Sequence, residues 1–188
     1  CESFLDVIEI LQMMRGDCVC PSKYTFVMLL KASSKFQCVD NGREIHTDIV
    51  NIGFEMDLFI GNKMIDLYAK CGSFIEAQYV FDELPFQDIV SSNALISGFA
   101  EQGFGKEALL VYMQMQEKGI SPDIATFASI LKACGSIRAL EKGKEIHNEI
   151  VGRGFLEKNT ILGNALVDMY AKCGVLSEAK QVFEWIPK

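Results

Sequence analysis

The sequence predicts an all-α fold, a superhelical solenoid of stacked helix-turn-helix hairpins, on three observations. Two segments that begin at Gly61 and Gly163 agree, without gaps, at 13 of 25 positions. A pattern of a small residue, a branched apolar residue and a ring side chain recurs five times. Glycine and proline stand where each hairpin should turn. Because a hairpin of about 35 residues cannot bury both faces alone, successive hairpins must stack.

The recurring pattern marks the second helix of each hairpin. Its spacing of i, i+3 and i+4 places the three side chains on one helical face, the face that packs. Successive small residues lie 35, 31, 35 and 36 positions apart. The occurrences are Gly42/Ile45/His46, Ala77/Val80/Phe81, Ala108/Val111/Tyr112, Gly143/Ile146/His147 and Ala179/Val182/Phe183, with Val7/Ile10/Leu11 in a truncated first unit.

The first half of each hairpin is also predicted to be helical. Apolar residues recur at helical spacing over 62–70, 93–100 and 126–133. A glycine is favoured just past a helix end, and the turns contain Gly72, Gly103 and Gly174. Prolines fall in the turns to the next unit, where a missing N–H breaks no helix, at Pro85, Pro122 and Pro187.

Composition narrows the class of protein. The 188 residues are 49% hydrophobic, enough for a continuous core. We expect a soluble segment, because no apolar run approaches the roughly 18 residues of a membrane span, and any targeting peptide should lie outside it. The net charge of −7 argues against a partner held by electrostatics alone. Seven cysteines without regular pairing spacings fit a reducing compartment.

The two histidines are predicted to be partly buried packing residues. His46 and His147 stand where other units have a phenylalanine or tyrosine. They are 101 residues apart, and no cysteine or carboxylate cluster joins them in a metal site, so neither a metal nor a cofactor is expected. The segment has no phosphate loop, nucleophile elbow or zinc-deaminase motif. It is therefore predicted not to be an enzyme and to have no small-molecule substrate.

The unit lengths and three kinds of motif resemble the P, L and S motifs of the plant pentatricopeptide repeat (PPR) family, PLS subclass. The tetratricopeptide repeat is a poorer match, because its period is constant and its Trp-x-x-Leu-Gly opening is absent. The resembling blocks are 93–98 with 119–123 (P), 30–32 with 42–46 and 131–134 with 143–147 (L), and the duplicated Tyr-Ala-Lys-Cys-Gly segments (S).

By this resemblance the whole chain, 1–188, is one repeat array. We expect it to be a piece of a longer array, because both ends fall inside a motif. The units run P (1–22, partial), L (23–57), S (58–88), P (89–123), L (124–159) and S (160–188, incomplete).

The resemblance implies sequence-specific binding of single-stranded RNA in mitochondria or chloroplasts, one base per repeat. In the family, the fifth residue of each motif and its last residue read the base. Two complete pairs follow, Asn62 with Asp88 and Asn93 with Asp123, which in the family favour pyrimidines, uridine above cytidine. Asn164 is a third reader, whose partner falls beyond Lys188.

Other positions take weaker roles from the resemblance. The code positions at the L units are Val27, Asp57, Ala128 and Asn159, and Ser22 is the last residue of the first unit. The valine and alanine side chains cannot form hydrogen bonds, so the array mixes readers with non-readers at the L units. Family members sandwich each base with the second residue of a motif, here Tyr24, Phe59, Val90, Ala125 and Ile161.

Three lysines end first helices and are candidates for phosphate contacts: Lys35, Lys70 and Lys172. Glu101 occupies the equivalent position of the P unit. The sequence leaves simpler roles open for several site residues. Asn62 and Asn93 are alternatively solvated amides or helix caps, and Tyr24 and Phe59 are alternatively ordinary packing residues between repeats.

Two functional readings remain. Many PLS proteins end in a deaminase-like domain and direct C-to-U editing, so the resemblance implies that the parent protein is an RNA-editing or RNA-processing factor that works with other such factors. The alternative is a helical-repeat scaffold that binds a protein or peptide, with Val27 and Ala128 suited to protein contacts. Neither reading involves a membrane.

Overall fold

The computed structural model describes residues 9–14, 16–17, 19–156 and 159–186, and within them every secondary-structure element is helical. Residues 9–14 are helical, and Val7 and Pro187 lie outside the described residues. The predicted all-α fold is confirmed. The helices are α1 Lys23–Phe36, α2 Val39–Ile52, α3 Leu58–Lys70, α4 Phe74–Glu83, α5 Ile89–Glu101, α6 Gly105–Glu117, α7 Ile124–Ser136, α8 Leu140–Gly152, α9 Thr160–Lys172 and α10 Leu176–Trp185.

The chain divides into two compact units, Cys1–Leu95 and Ile96–Lys188. In the first unit, α1 packs against α2 and α3, and α3 packs against α2 and α4. In the second, α7 packs against α6, α8 and α9, and α9 packs against α8 and α10. Within each unit, then, successive first helices lie side by side, and the second helices α2, α6 and α8 each also touch the first helix that follows them. This is the hairpin stacking that the sequence predicts.

The first helices begin earlier than the apolar pattern alone predicts. They start at Leu58, Ile89 and Ile124 rather than at 62, 93 and 126. The pattern failed in the first turn because apolar residues there are exposed and do not follow the burial period. Phe59 is 50% exposed and Val90 is 52% exposed.

The small residue of the recurring pattern permits close approach of neighbouring helices. A Cβ atom added to Gly42 of α2 would lie 2.5 Å from Leu67 Cδ2 of α3. The second unit repeats the contact, since a Cβ on Gly143 of α8 would lie 2.5 Å from Met169 Sδ of α9. The turn glycines have a different role, as Gly72 at φ 73° adopts a left-handed conformation that other residues rarely take.

Both histidines join a second helix to the next first helix. His46 Nδ1 lies 2.9 Å from the Tyr68 hydroxyl, and His147 Nδ1 lies 2.9 Å from the Tyr170 hydroxyl. Both rings are partly buried, which confirms their prediction as packing residues. Phe183, at the equivalent position of the final unit, is 66% exposed. Burial lowers the pKa of both histidines below their ordinary value of 6.5.

We expect Gly105→Ala to lower the free energy of unfolding by about 1–3 kcal/mol, because the added methyl group meets backbone that cannot move aside easily. Its Cβ would lie 2.7 Å from the Ala133 carbonyl oxygen and 2.8 Å from Ile137 Cγ2. Urea unfolding followed by circular dichroism measures the change. Gly152→Ala is the matched control, because its Cβ meets nothing within 4 Å. Equal stability of the two variants would refute the close-approach argument.

We expect stability to fall as the pH drops below about 6.5, because the unfolded histidines bind protons more readily than the folded ones. Above that pH both states are neutral at these sites and the effect vanishes. The double variant His46→Phe/His147→Phe should lose less stability than wild type between pH 7.5 and pH 5.5 in urea unfolding. These are the only two histidines. An unchanged pH dependence would show that other groups cause it.

Candidate functional site

The sequence-predicted site residues occupy one register on the five first helices. The residue directly before each helix is Ser22, Asp57, Asp88, Asp123 or Asn159. The second residue of each helix is Tyr24, Phe59, Val90, Ala125 or Ile161. The fifth is Val27, Asn62, Asn93, Ala128 or Asn164.

The three asparagines lie inside their helices and differ in exposure. Asn62 is only 6% exposed, and its Oδ1 atom has no hydrogen-bond donor among the described residues. Asn93 is half-buried and Asn164 is exposed. Since all three lie in helix interiors, none is a cap, so that alternative for Asn62 and Asn93 is wrong. The burial of Asn62 also excludes an ordinary solvated amide there.

The residues before the first helices are the caps. Asp57 Oδ1 accepts hydrogen bonds from the Phe59 and Ile60 N–H groups at 3.0 and 3.1 Å. Asn159 Oδ1 accepts from Ile161 N–H at 3.0 Å in the same arrangement. Ser22 Oγ accepts from Thr25 N–H at 3.3 Å. These bonds satisfy donors that a helix start leaves unpaired.

Two of these caps are reciprocal. Asp88 Oδ1 accepts from Ser91 N–H at 2.8 Å, and Ser91 Oγ accepts from Asp88 N–H at 2.9 Å. Asp123 and Thr126 form the same pair of bonds at 2.9 and 3.2 Å. This capping role was not predicted from the sequence, although serine, aspartate and asparagine are the preferred capping residues.

Asp57 has a second partner. Its Oδ2 atom lies 3.3 Å from Lys23 Nζ of the preceding first helix. Desolvation alone would raise the pKa of the Asp57 carboxyl, but the bonds from Ile60 N–H, Lys23 and Phe59 N–H together lower it below its ordinary value. The carboxylate therefore stays charged and keeps capping α3 at neutral pH.

The second residues form a set of exposed apolar side chains. Tyr24 is 71% exposed and Ile161 is 60% exposed, and Ala125 is exposed as well. Tyr24 and Phe59 are therefore not buried packing residues. A second and a fifth residue are three positions apart and share a helical face. On α3, α5 and α9 this face carries an exposed apolar side chain followed one turn later by an amide.

Two of the three candidate phosphate lysines are ion-paired within their own helices. Lys70 Nζ lies 2.9 Å from Asp66 Oδ1, and Lys172 Nζ lies 2.7 Å from Asp168 Oδ2. Lys35 Nζ instead lies 5.8 Å from the centre of the Phe36 ring. All three side chains are exposed at helix ends.

The described part of the chain contains no group of three or more histidine, cysteine or acidic residues arranged to hold a metal ion. Over the same residues, no helix has the length and apolarity to cross a membrane.

Alternating first and second helices, stacked through the same contacts in each unit, define a helical-hairpin repeat protein. Models of the PPR repeat family match residues 87–136, and models of the PPR repeat match 62–88 and 164–184. These matches together span slightly more than half of the chain. The chain belongs to the pentatricopeptide repeat family of plants.

Relatives from Arabidopsis thaliana agree with this family. The pentatricopeptide repeat-containing protein At2g13600 is 38% identical over 93% of the chain and 25% of its own length. The pentatricopeptide repeat-containing protein At3g13770, named mitochondrial, is 36% identical over 94% of the chain and 28% of its own length. At4g18520, named chloroplastic, is 35% identical over 89% and 27%. The chain thus spans about a quarter of the relatives it matches.

Among solved structures, the maize pentatricopeptide repeat protein PPR10, crystallised with an 18-nt psaJ RNA element, has a TM-score of 0.84 to this chain. The two are 23% identical, and the match covers 96% of this chain and 26% of PPR10. This likeness shows the fold, a solenoid of helical hairpins.

We expect Asp57→Ala to lower the free energy of unfolding by about 1 kcal/mol, because α3 loses its cap. Asp57→Asn should cost much less, since an amide oxygen also caps a helix, as Asn159 does. Thermal and urea unfolding of the two variants measure the difference. If the asparagine variant is as unstable as the alanine variant, the stabilising feature is the charge and not the cap.

Proposed function

We propose that this chain binds single-stranded RNA sequence-specifically, one base per repeat. The readers are Asn62, Asn93 and Asn164, with Asp88 and Asp123 completing two pairs. The observation that carries the proposal is the shared helical face on α3, α5 and α9, where an exposed apolar residue lies one turn from an amide. Apolar side chains can stack on any base, and an amide can both donate to and accept from a base edge.

The amide of Asn62 supports this reading. Among the residues that the structure describes, its buried Oδ1 atom has no hydrogen-bond partner, as is true of Ser33 Oγ and His147 Nε2. An unsatisfied buried acceptor costs about 1–3 kcal/mol. Rotation of the Asn62 side chain towards a ligand donor would recover that cost. The N3–H group of uridine and the exocyclic amine of cytidine are such donors. Two adjacent pyrimidines, uridine above cytidine, are the proposed target of Asn62 and Asn93.

The proposal extends to the PLS subclass and its motif boundaries. First helices start at Lys23, Leu58, Ile89, Ile124 and Thr160, at intervals of 35, 31, 35 and 36 residues. The shortest interval belongs to the proposed complete S unit. Val27 and Ala128 have no side-chain hydrogen-bonding group, so the L units do not read bases in this way.

The parent protein is proposed to be an organellar RNA-processing or C-to-U editing factor. Relatives named mitochondrial and chloroplastic support an organellar location, and the fold shared with RNA-bound PPR10 supports the ligand. The role of this segment is binding, and any deaminase-like chemistry belongs to another part of the protein.

The test is fluorescence anisotropy with matched RNA probes. The repeat array should bind a probe with two adjacent uridines, in the register of Asn62 and Asn93, at least about tenfold more tightly than a probe with two adenosines. The reason is that a mismatched position typically costs about 1–3 kcal/mol. Asn62→Ala/Asn93→Ala should abolish the preference. Asn51→Ala/Asn148→Ala is the matched control, because it removes two exposed amides from second helices.

A wild-type array without base preference would overturn the code assignment. So would a double reader variant that keeps the preference. If RNA does not bind at all, and a protein partner is retained when Asn62 and Asn93 are changed, the scaffold function is correct instead.

A further inference from the structure

We propose that the two first helices without a reading amide, α1 and α7, hold the RNA backbone, with Lys31, Lys35 and Lys132 as the phosphate-binding residues. This inference rests on the proposed RNA-binding function. It assigns a role to the L units, and it places the phosphate contacts on different lysines from those that end the S-unit helices.

The lysines lie on the same face as the proposed reading positions. With 3.6 residues per turn, the second, fifth, ninth and thirteenth residues of a helix line one face. On α1 this face carries Lys31 at the ninth position and Lys35 at the thirteenth. On α7 the ninth residue is Lys132. All three side chains are exposed.

The S-unit helices carry a carboxylate where α1 and α7 carry a cation. Their ninth residues are Asp66 and Asp168, which pair with Lys70 and Lys172 at 2.9 and 2.7 Å. Asp66 Oδ2 also accepts a hydrogen bond from Ser34 Oγ at 3.3 Å, which fixes the carboxylate in place. A phosphate that approached either lysine would meet the aspartate as well, so these faces carry no net positive charge.

The lysines of α1 and α7 have no such neutralising partner. Within residues 19–156 and 159–186, none of Lys31, Lys35 and Lys132 forms an ion pair with a carboxylate. The α5 face ends in Glu101 and supplies no cation. Unpaired positive charge on the reading face is therefore concentrated on the L-unit helices.

Each of these helices is next to a reading helix. In the first unit α1 packs against α3, which carries Asn62, and in the second α7 packs against α9, which carries Asn164. The same pairing of a cationic helix with an amide helix thus occurs in both units. A strand whose bases face the amides of one helix can place its phosphates at the neighbouring lysines, where binding is independent of sequence.

The test is the salt dependence of RNA affinity in the repeat array. We expect Lys31→Gln/Lys35→Gln/Lys132→Gln to flatten the slope of log affinity against log KCl concentration by about 2, since each phosphate contact on a single strand contributes about 0.7. Uridine-over-adenosine preference should persist. An abasic ribose-phosphate strand offers no base to read. The triple variant should bind this strand at least about fivefold more weakly than wild type does.

Two further variants separate the possible outcomes. Lys106→Gln/Lys144→Gln/Lys180→Gln is the control, because it removes the same charge from second helices and should leave the slope nearly unchanged. Equal flattening by this control would overturn the proposal. If Lys70→Gln/Lys172→Gln flattened the slope as much as the α1 and α7 variant, the S-unit lysines would bind phosphate as well, which would also overturn it. An unchanged slope in the triple α1 and α7 variant would also overturn it while leaving base reading intact. Failure of wild type to bind any RNA would instead reject the proposed function, and this inference with it.

Discussion

The structure depends on the close contact between the second helix of one hairpin and the first helix of the next. At Gly42 and Gly143 the absence of a side chain lets these helices approach until they touch a leucine or a methionine. Alongside each contact a histidine meets a tyrosine hydroxyl at 2.9 Å. A hairpin alone would expose this face to water, so the contact both stabilises the chain and fixes where each first helix lies.

The sequence predicted the hairpins because their packing faces repeat, and repetition survives substitution of single residues. It predicted partial burial of His46 and His147 because other repeat units have Phe81 and Tyr112 at the equivalent position. It did not predict the tyrosine partners, since a bond between residues 22 or 23 positions apart depends on how two helices meet. The apolar pattern predicts helix starts that are too late, because Phe59 and Val90 are apolar yet exposed and so interrupt the burial period.

The sequence predicted the positions of the candidate site residues along their helices, but not the burial and charge around them. Asn62, Asn93 and Asn164 are each the fifth residue of a first helix, yet Asn62 is buried, Asn93 is half-buried and Asn164 is exposed. Nor does composition show how charge is distributed. The chain has a net charge of −7, yet no carboxylate within the described residues neutralises the lysines on the α1 and α7 faces. On the α3 and α9 faces, by contrast, aspartates pair with the lysines.

The residue before each first helix caps that helix, and this structural role limits which amino acids the repeat can have at that position. Under the proposed function that residue belongs to a base-reading pair, yet its side-chain oxygen already holds the helix start. Only serine, threonine, aspartate and asparagine serve well in that structural task. In a designed or evolving array, the need for a helix cap therefore restricts which residue types this position can hold, whatever nucleotide is to be bound. The fifth residue lies inside the helix and is free of that restriction.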